Sequence, residues 1–476
     1  MSPKLLGQTE SVCPVCLKIL PAEIWERGAE VFLERSCPEH GFFAAAIWRG
    51  EPNFRAWRRP RQPRSIQAQT PRERGCPRDC GLCPDHGQKT CAALLEVTDQ
   101  CDLSCPVCFA DSGGPGASSR PLGELIKALH WIQANAGQVV LQLSGGEPTR
   151  HPELLELVAA AKKLFPAVQL NTNGLRLANE PALAEKLAKN GLNWVFLQFD
   201  SLTDPVYRVL RGRPLQAQKV AAVAACQKAH LPVILVPTVV KGLNDQELGQ
   251  IVDWAKAQPI VRGVHIQPMT QAGRNNLTDP ERRLTIPEIL QALETGTEGR
   301  IQAKDARPPG CEHERCSFHF RFRRQADGAL TPWVPQAPLS QLVPRSLESE
   351  GLKMGPTVAP QVELTVDDAA LNQQKAVEIL IHSWGPGEPS PAPPHPGPTI
   401  PMARKKAPSL DDFLAQARRE TFSVTGMAFQ DGQTLDLQRL KSCCVHVYQE
   451  PGRLIPFCAM NLTSTTGQTL HRKRPC

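Results

Sequence analysis

The feature that most constrains this chain is Cys101-Asp-Leu-Ser-Cys105-Pro-Val-Cys108, three thiols at C-x3-C-x2-C spacing directly after the apolar run Ala92–Thr98. That run reads as a strand. The cysteines then occupy the loop leaving its C-terminal end, where α/β barrels carry their chemistry. Three such thiolates can hold three irons of a [4Fe–4S] cube and leave the fourth iron open, whereas closed clusters take four. The bland alternative is a structural zinc or closed-cluster site. The chain has 17 cysteines in 476 residues. They fall in short groups beside histidine, and no charged-then-apolar leader is evident, so reduced, metal-bound thiolates in a cytoplasmic protein are expected. With no apolar run of about 18 residues or more, no membrane-spanning helix is expected. The net charge of +7 suits anionic ligands. It is no signature of nucleic acid, and no nucleic-acid-binding pattern stands out.

Residues 1–60 read as a small module. Cys13-Pro-Val-Cys16 and Cys37-Pro-Glu-His40 form two knuckles able to close a tetrahedral site around zinc or iron, as in rubredoxin and zinc ribbons. Strands are expected at 29–35 and 41–48. Residues 55–75 are basic and proline-broken; they read as an exposed linker, or more sharply as a contact to an anionic substrate or a membrane surface. Segment 61–91 repeats the spacing in Cys76, Cys80 and Cys83, with Cys91 as the expected fourth thiol of a closed auxiliary cluster, the alternative being a second zinc site. From 92 to 300, strand and helix patterns alternate. Strands are expected at 94–98, 139–143, 168–172, 194–199, 233–240 and 263–267, and helices at 122–135, 154–165, 181–190, 216–228 and 245–257. Six βα units imply a parallel sheet with right-handed crossovers, an α/β partial (β/α)6 barrel. The C-terminal region, 301–384 and 409–476, holds Cys311, Cys316, Cys443, Cys444 and Cys458. A third cluster is expected from Cys311, Cys316, Cys458 and one of the adjacent pair, with Cys444 favoured, which would tie the chain's end back to the barrel. Residues 385–408 read as a proline-rich linker. Cys226 reads as a core thiol and Cys476 as a free terminal one.

The 101–108 stretch resembles the signature of the radical S-adenosylmethionine (SAM) enzymes. The resemblance implies that Cys101, Cys105 and Cys108 hold a [4Fe–4S] cluster whose open iron chelates SAM. Reductive cleavage to a 5′-deoxyadenosyl radical and hydrogen abstraction from an unactivated C–H bond would follow. Many members carry an aromatic before the third cysteine; here Val107 stands there and Phe109 follows. Ser144-Gly145-Gly146-Glu147-Pro148-Thr149 ends the second strand and is similar to the family's Gly-Gly-Glu motif, implying SAM-amino contacts there. Asn171-Thr-Asn173-Gly174 ends the third strand, where side-chain amides suit ribose hydroxyls, Asn-Gly being otherwise a common turn. By the same resemblance Asp200 and Ser201 lie at a polar site ending the fourth strand, touching SAM or substrate, and Arg211 opposite the SAM carboxylate.

The whole layout resembles the group holding class D radical SAM methyltransferases of pterin metabolism and the tetraether lipid synthases. It implies a radical SAM barrel with an N-terminal metal-binding ribbon and a C-terminal Fe–S extension. It also implies C–C bond formation, by methylation or alkyl coupling, on a pterin-like or lipid substrate, and a low-potential electron donor such as ferredoxin or flavodoxin. The alternatives are a peptide maturase with auxiliary clusters, whose winged-helix element is not evident, and a non-catalytic metal scaffold, which would have no need of Ser144–Glu147.

Overall fold

The computed structural model describes residues 2–58, 66–309, 311–332, 384–385 and 420–472. The expected 385–408 linker, Gly385 aside, and Cys476 lie outside them.

The N-terminal module is a four-stranded antiparallel meander, β1 (Lys4–Val12), β2 (Ile19–Arg27), β3 (Glu30–Cys37) and β4 (Gly41–Arg49). Sequence alternation gave only the last two strands. The Cys13–Cys16 knuckle turns β1 into β2, and the Cys37–His40 knuckle turns β3 into β4. The following segment is not simply an exposed linker: Phe54 and Trp57 are buried against Trp48, and Trp57 Nε1 donates to the Glu314 carbonyl at 2.6 Å.

After β5 (Ala92–Thr98) and the two-residue β6 (Val107–Cys108), βα units alternate: α1 (Leu122–Ala136), β7 (Val140–Gly145), α2 (Leu154–Leu164), β8 (Ala167–Thr172), α3 (Leu175–Asn179), α4 (Ala182–Lys189), β9 (Trp194–Gln198), α5 (Asp204–Arg211), α6 (Gln216–Lys228), β10 (Val233–Val236), β11 (Thr238–Val239), α7 (Leu248–Ala257), β12 (Val261–Pro268), β13 (Arg274–Asn275) and α8 (Ile286–Gly296). The C-terminal region adds β14 (Ser317–Arg324), β15 (Leu330–Pro332), β16 (Thr421–Met427), α9 (Leu437–Leu440), β17 (Val445–Gln449), β18 (Arg453–Pro456) and α10 (Phe457–Met460). Strands β5, β7, β8, β9, β10 and β12 pair in parallel, the expected six-stranded partial barrel. Their near-continuous apolar runs follow from burial on both faces. On α1, the apolar positions Leu125, Ala128, Leu129 and Ile132 recur at helical spacing and bury against the sheet. Gly137 ends that helix at φ 73°, a conformation that favours glycine.

Both barrel edges are extended by the C-terminal region. β16 joins β12 in parallel and β17 joins β5 in parallel, so parallel strands run β17-β5-β7-β8-β9-β10-β12-β16, flanked by antiparallel β18 on one side and β14 and β15 on the other. Covering exposed edges in this way satisfies N–H and C=O groups that would otherwise template aggregation. The ribbon is locked to the same region. Arg35, on β3, is buried and donates to Val12 O and Gly432 O, both at 2.8 Å. Fully buried Asp431 then accepts from Arg283 at 2.6 Å and from the Gln271 amide at 2.8 Å. Among the described residues, no helix is long and apolar enough to cross a membrane.

The last described residue, Arg472, reaches back to Glu96 on the inner face of β5, with Nη2 to Oε1 at 2.7 Å and Nη1 to Oε2 at 3.1 Å. Replacing Arg472 with alanine leaves that carboxylate without its partner in a site about one-fifth exposed. A loss of about 2 kcal/mol is expected, seen as faster limited proteolysis of the tail after Asn461 while the barrel core stays protected.

Candidate active site

β5 ends at Thr98, and the loop carrying Cys101, Cys105 and Cys108 is gripped from several sides. Gly145 (φ 128°) and Gly146 close on its backbone: a Cβ at Gly145 would sit 2.3 Å from Thr98 O, and one at Gly146 would sit 2.3 Å from Gln100 O. The Gly146 and Glu147 amides donate to Thr98 O and Gln100 O, both at 2.8 Å. Glycine is required here by backbone crowding as well as by any ligand. From the other side, β13 pairs with β6, and Arg274 donates to Cys105 O (2.8 Å), Asp111 (3.0 Å) and Ser112 O (3.1 Å). Burial pushes the Cys101 thiol up to about 12 and raises that of Cys105, so a bound cation is needed to hold them as thiolates.

The supporting residues converge on this loop, and most are already engaged. Glu147 is buried. Its Oε1 accepts from Thr149 N (3.1 Å), Thr149 Oγ1 (2.6 Å) and Thr172 Oγ1 (2.6 Å), and its Oε2 accepts from Asn173 N (2.7 Å). The carboxylate thus clamps the ends of β7 and β8, leaving acceptor capacity on Oε2 alone. Desolvation raises its pKa, and those hydrogen bonds oppose the rise. Asn173 donates from Nδ2 to Asp102 at 2.6 Å and accepts at Oδ1 from Leu175 N at 2.9 Å, so its side chain anchors the cysteine loop instead of standing free for a ribose. Asn171 lies lower, on the inner face of β8, bonded to Gln142 and Gln169. Ser201 Oγ donates to Glu247 at 2.5 Å.

Arg211, expected opposite a SAM carboxylate, is largely engaged by the protein itself. It forms a buried bidentate pair with Asp200, at 2.8 Å for both bonds, and also donates to Val107 O (3.0 Å) and Thr238 Oγ1 (2.8 Å). Four of its five N–H groups are used, and its work is to hold the cysteine loop to the ends of β9 and β11. Lys219, which sequence reasoning missed, is fully buried and donates to Asn173 O (2.5 Å) and Gln198 Oε1 (2.9 Å). Burial lowers its pKa to about 8. It lies in the Gln216–Lys228 helix pattern, where a lysine reads as solvated, so no signal distinguished it.

Of the remaining thiols, those outside the ribbon sort differently from the expectation. In the ribbon, Cys13, Cys16, Cys37 and His40 bring their ligand atoms within 4.8 Å of one another, with His40 Nδ1 3.4 Å from Cys37 Sγ and 3.7 Å from Cys13 Sγ. Cys76, Cys80 and Cys83 line a small cavity with His86. Cys91 is not their fourth thiol. Its Sγ lies 2.8 Å from Cys311, and Cys91, Cys311 and Cys444 form one group, with Cys91 and Cys444 buried and Cys311 half-buried. Chain proximity misled here because Thr90–Cys91 turns into β5, beside Cys444 at the start of β17: the Cys91 amide donates to Cys444 O at 2.8 Å. Cys443 and Cys444 serve opposite sides, as neighbours in extended chain do. Cys443 is within electrostatic reach of Cys80, Cys316 and Cys458, and Arg439 donates to Cys316 Sγ at 3.3 Å. Phe109 and Phe457, the chain neighbours of Cys108 and Cys458, meet edge to face at 5.2 Å. Cys226 is buried in the core.

Two outcomes are expected. Gly146→Ala displaces the cysteine loop and loses most reductive SAM cleavage, while ribbon metal content is unchanged. Cys444→Ser and Cys443→Ser differ, the first emptying the group shared with Cys91 and Cys311 and the second the group shared with Cys316 and Cys458. Iron analysis of each variant, combined with the matching Cys311 or Cys458 substitution, shows no further loss within a group and an additional loss across groups.

Comparison with known proteins agrees with this geometry. Residues 95–255 match the family described as the radical SAM superfamily, and residues 5–49 match the HMPTM N-terminal zinc ribbon domain. The chain is 30% identical over 506 aligned residues to a 7,8-dihydro-6-hydroxymethylpterin dimethyltransferase of Methanocaldococcus jannaschii, covering 98% of this chain and 94% of that protein. It is 29% identical to a GTP 3′,8-cyclase of Paenarthrobacter nicotinovorans over 45% of this chain and 61% of that one. Among solved structures, Streptococcus suis SuiB bound to precursor peptide SuiA aligns over 44% of this chain and 46% of that one at TM-score 0.38 and 17% identity. With the cysteine loop at the mouth of a partial (β/α)6 barrel and a relative matched along nearly its whole length, the chain belongs to the radical SAM superfamily and is an enzyme of that family.

Proposed function

We propose that this enzyme methylates a reduced pterin. The observation that carries the reading is the 30% identity running through 98% of the chain, ribbon and C-terminal thiols included, to a protein named as a dihydropterin dimethyltransferase. The match of residues 5–49 to the zinc ribbon of the same group supports it. So does the polar character of the barrel's inner face, which carries the carboxamides of Gln142, Gln169, Asn171 and Gln198, groups ill-suited to a lipid chain.

When bound, the [4Fe–4S] cluster and SAM supply one-electron cleavage and a hydrogen-abstracting 5′-deoxyadenosyl radical. The chain's own residues do the rest. Cys101, Cys105 and Cys108 hold the cluster. Gly145 and Gly146 fix the loop, and Glu147 Oε2 retains capacity to accept from an ammonium. Trp194, Phe196, His265 and Trp384 pack ring against ring on the barrel's inner face and fill its interior at that level, which excludes water from below the cysteine loop. Zinc is assigned to Cys13, Cys16, Cys37 and His40, and iron–sulfur centres to the other thiol groups, with an electron donor of the ferredoxin or flavodoxin kind. A reducing cytoplasm is the compartment this thiol content suits.

The test is anaerobic turnover of the reconstituted enzyme with dithionite, SAM, a reduced one-carbon carrier and 7,8-dihydro-6-hydroxymethylpterin. The expected product is a pterin heavier by one or two methyl groups, formed with 5′-deoxyadenosine. Cys105→Ala abolishes both and keeps the ribbon metal. Deoxyadenosine with no methylated pterin overturns the substrate assignment and leaves the radical chemistry standing.

A further inference from the structure

The basic segment that precedes the barrel ends around one of the thiol groups. Residues 55–78 contain eight arginines and one acidic residue, Glu73. Arg59, Arg61 and Arg64 lie outside the described residues. The end of the segment wraps the Cys76–Cys83 loop: the Gln69 amide donates to Leu82 O at 2.9 Å and Thr70 Oγ1 to Asp79 O at 3.2 Å. Cations reach that loop from three parts of the chain. Arg72 and Arg74 belong to the segment, with side chains 64% and 67% exposed. The Arg453 stem lies on the loop's turn, since a Cβ at Gly81 would sit 3.3 Å from Arg453 Cδ. Its guanidinium donates to the uncharged Gln449 Oε1 at 2.6 Å. Lys441 lines the small cavity that holds the three thiols.

His471 marks where these charges meet. Its Nε2 donates to Pro77 O at 2.8 Å. Burial lowers its pKa, the Pro77 carbonyl opposes that, and the charges of Arg453, Arg74 and Arg78 lower it again. Local acids do not cancel the rim. Asp79 is buried and accepts from the Glu73, Arg74 and Gly75 amides at 2.8, 2.5 and 2.6 Å. Asp85 and Glu10 pair with Arg72 and Lys441 at 3.2 and 3.7 Å. Among the described residues, Arg78 and Arg453 form no ion pair.

The thiols under this rim stand on the barrel's flank, beside Leu440 and Pro456 in the region that adds β17 and β18. Cys76 is half-buried, and Cys80 and Cys83 are buried. From there the thiols lead inward. Cys80 is within electrostatic reach of Cys443, and Cys443 of Cys316 and Cys458. Phe457, next to Cys458, packs on Phe109, next to Cys108. The barrel mouth is a poor entry for a protein reductant, because a radical formed there must be shielded from solvent.

We propose that the basic rim around Cys76, Cys80 and Cys83 is the docking surface of an acidic one-electron carrier protein, and that electrons enter the enzyme here. One electron leaves the carrier's reduced cofactor, oxidising it by one, and reduces the centre held by these thiols by one; no bond forms or breaks. Complementary charge would steer and orient the carrier. A membrane, the other anionic body a basic segment suits, calls for apolar anchors as well. The exposed large apolar residues among those described, Leu5, Phe42, Phe109 and Val209, lie outside the rim. The proposal rests on the iron–sulfur assignment of this thiol group, which iron loss in Cys80→Ser tests by itself.

The experiment measures the affinity of an acidic flavodoxin for the anaerobic holoenzyme at low and high salt, and 5′-deoxyadenosine formation driven by reduced flavodoxin or by dithionite. Arg78→Glu with Arg453→Glu is expected to weaken binding about tenfold at low salt and little at high salt. Flavodoxin-driven cleavage falls with it, while dithionite-driven cleavage and iron content stay at the wild-type level. Lys189→Glu with Lys228→Glu, exposed positions on α4 and α6, makes the same change in net charge and leaves binding unaltered. Equal weakening by both pairs, affinity insensitive to salt, or a dithionite reaction that falls as far as the flavodoxin one overturns the proposal. So does wild-type binding to vesicles of anionic phospholipid with none to flavodoxin, which would make the rim a membrane contact. Full iron retention in Cys80→Ser removes the cluster assignment instead, and with it electron entry at this point, whatever the flavodoxin affinity.

Discussion

Everything at the barrel mouth depends on one close approach, the backbone of Gly145 and Gly146 against that of Thr98 to Gln100. No side chain fits between them. The contact turns the loop after β5 from a flexible excursion into a surface with a fixed position relative to β7. The buried Asp200–Arg211 pair pulls the same loop toward the fourth and fifth strands through the Val107 carbonyl, and Arg274 holds it from the far side. A buried pair of this kind is costly to break, about 3–5 kcal/mol when one partner is removed. Its value here is positional. Three thiols that, as proposed, hold a cluster with one iron open would need a frame set before the metal arrives.

The same economy of position explains the C-terminal region. It supplies a parallel strand to each edge of the six-stranded barrel, and the thiols ride on those additions. Cys443 and Cys444 immediately precede β17, Cys458 follows β18, and Cys316 precedes β14. Thiol groups and edge strands are thus coupled: pairing the strands orients the thiols, and a metal held there would in turn fix the strands. The ribbon is drawn into this arrangement through Arg35 and Gly432, so its Cys13–Cys16 and Cys37–His40 knuckles are braced by a part of the chain 397 residues beyond Arg35.

The barrel was legible because its signals are local. Alternating runs marked the six strands, Gly137 marked the end of a helix, and the helix over Gln216–Lys228 fell where periodicity placed it. The cysteine loop and Gly145–Glu147 could be read because a strand precedes each. What escaped was set by tertiary contact. Cys91 looked like a neighbour of Cys83, but pairing of β17 with β5 carries it to Cys444 and Cys311. Thr421–Met427 and Val445–Gln449 are short strands that gain stability only from barrel edges formed far earlier in the chain. Arg211, Asn173 and Glu147 carried the right chemistry for ligand contacts. The structure commits most of their hydrogen-bonding capacity to the protein itself, a division of labour that composition cannot reveal. Trp384, isolated beside a proline-rich stretch, gave no hint that its indole would bond Ser423 at 2.8 Å inside the barrel.

The most direct measurement is electron paramagnetic resonance of the dithionite-reduced protein with and without SAM, in the wild type and in a variant with Cys101, Cys105 and Cys108 all replaced by alanine. The account predicts a reduced-cluster signal that shifts on adding SAM in the wild type. In the variant that SAM-sensitive component is missing, and SAM-insensitive signals from the other thiol groups persist. A SAM-sensitive signal surviving the triple replacement would place the open iron elsewhere and contradict the assignment of the barrel-mouth loop as the catalytic centre.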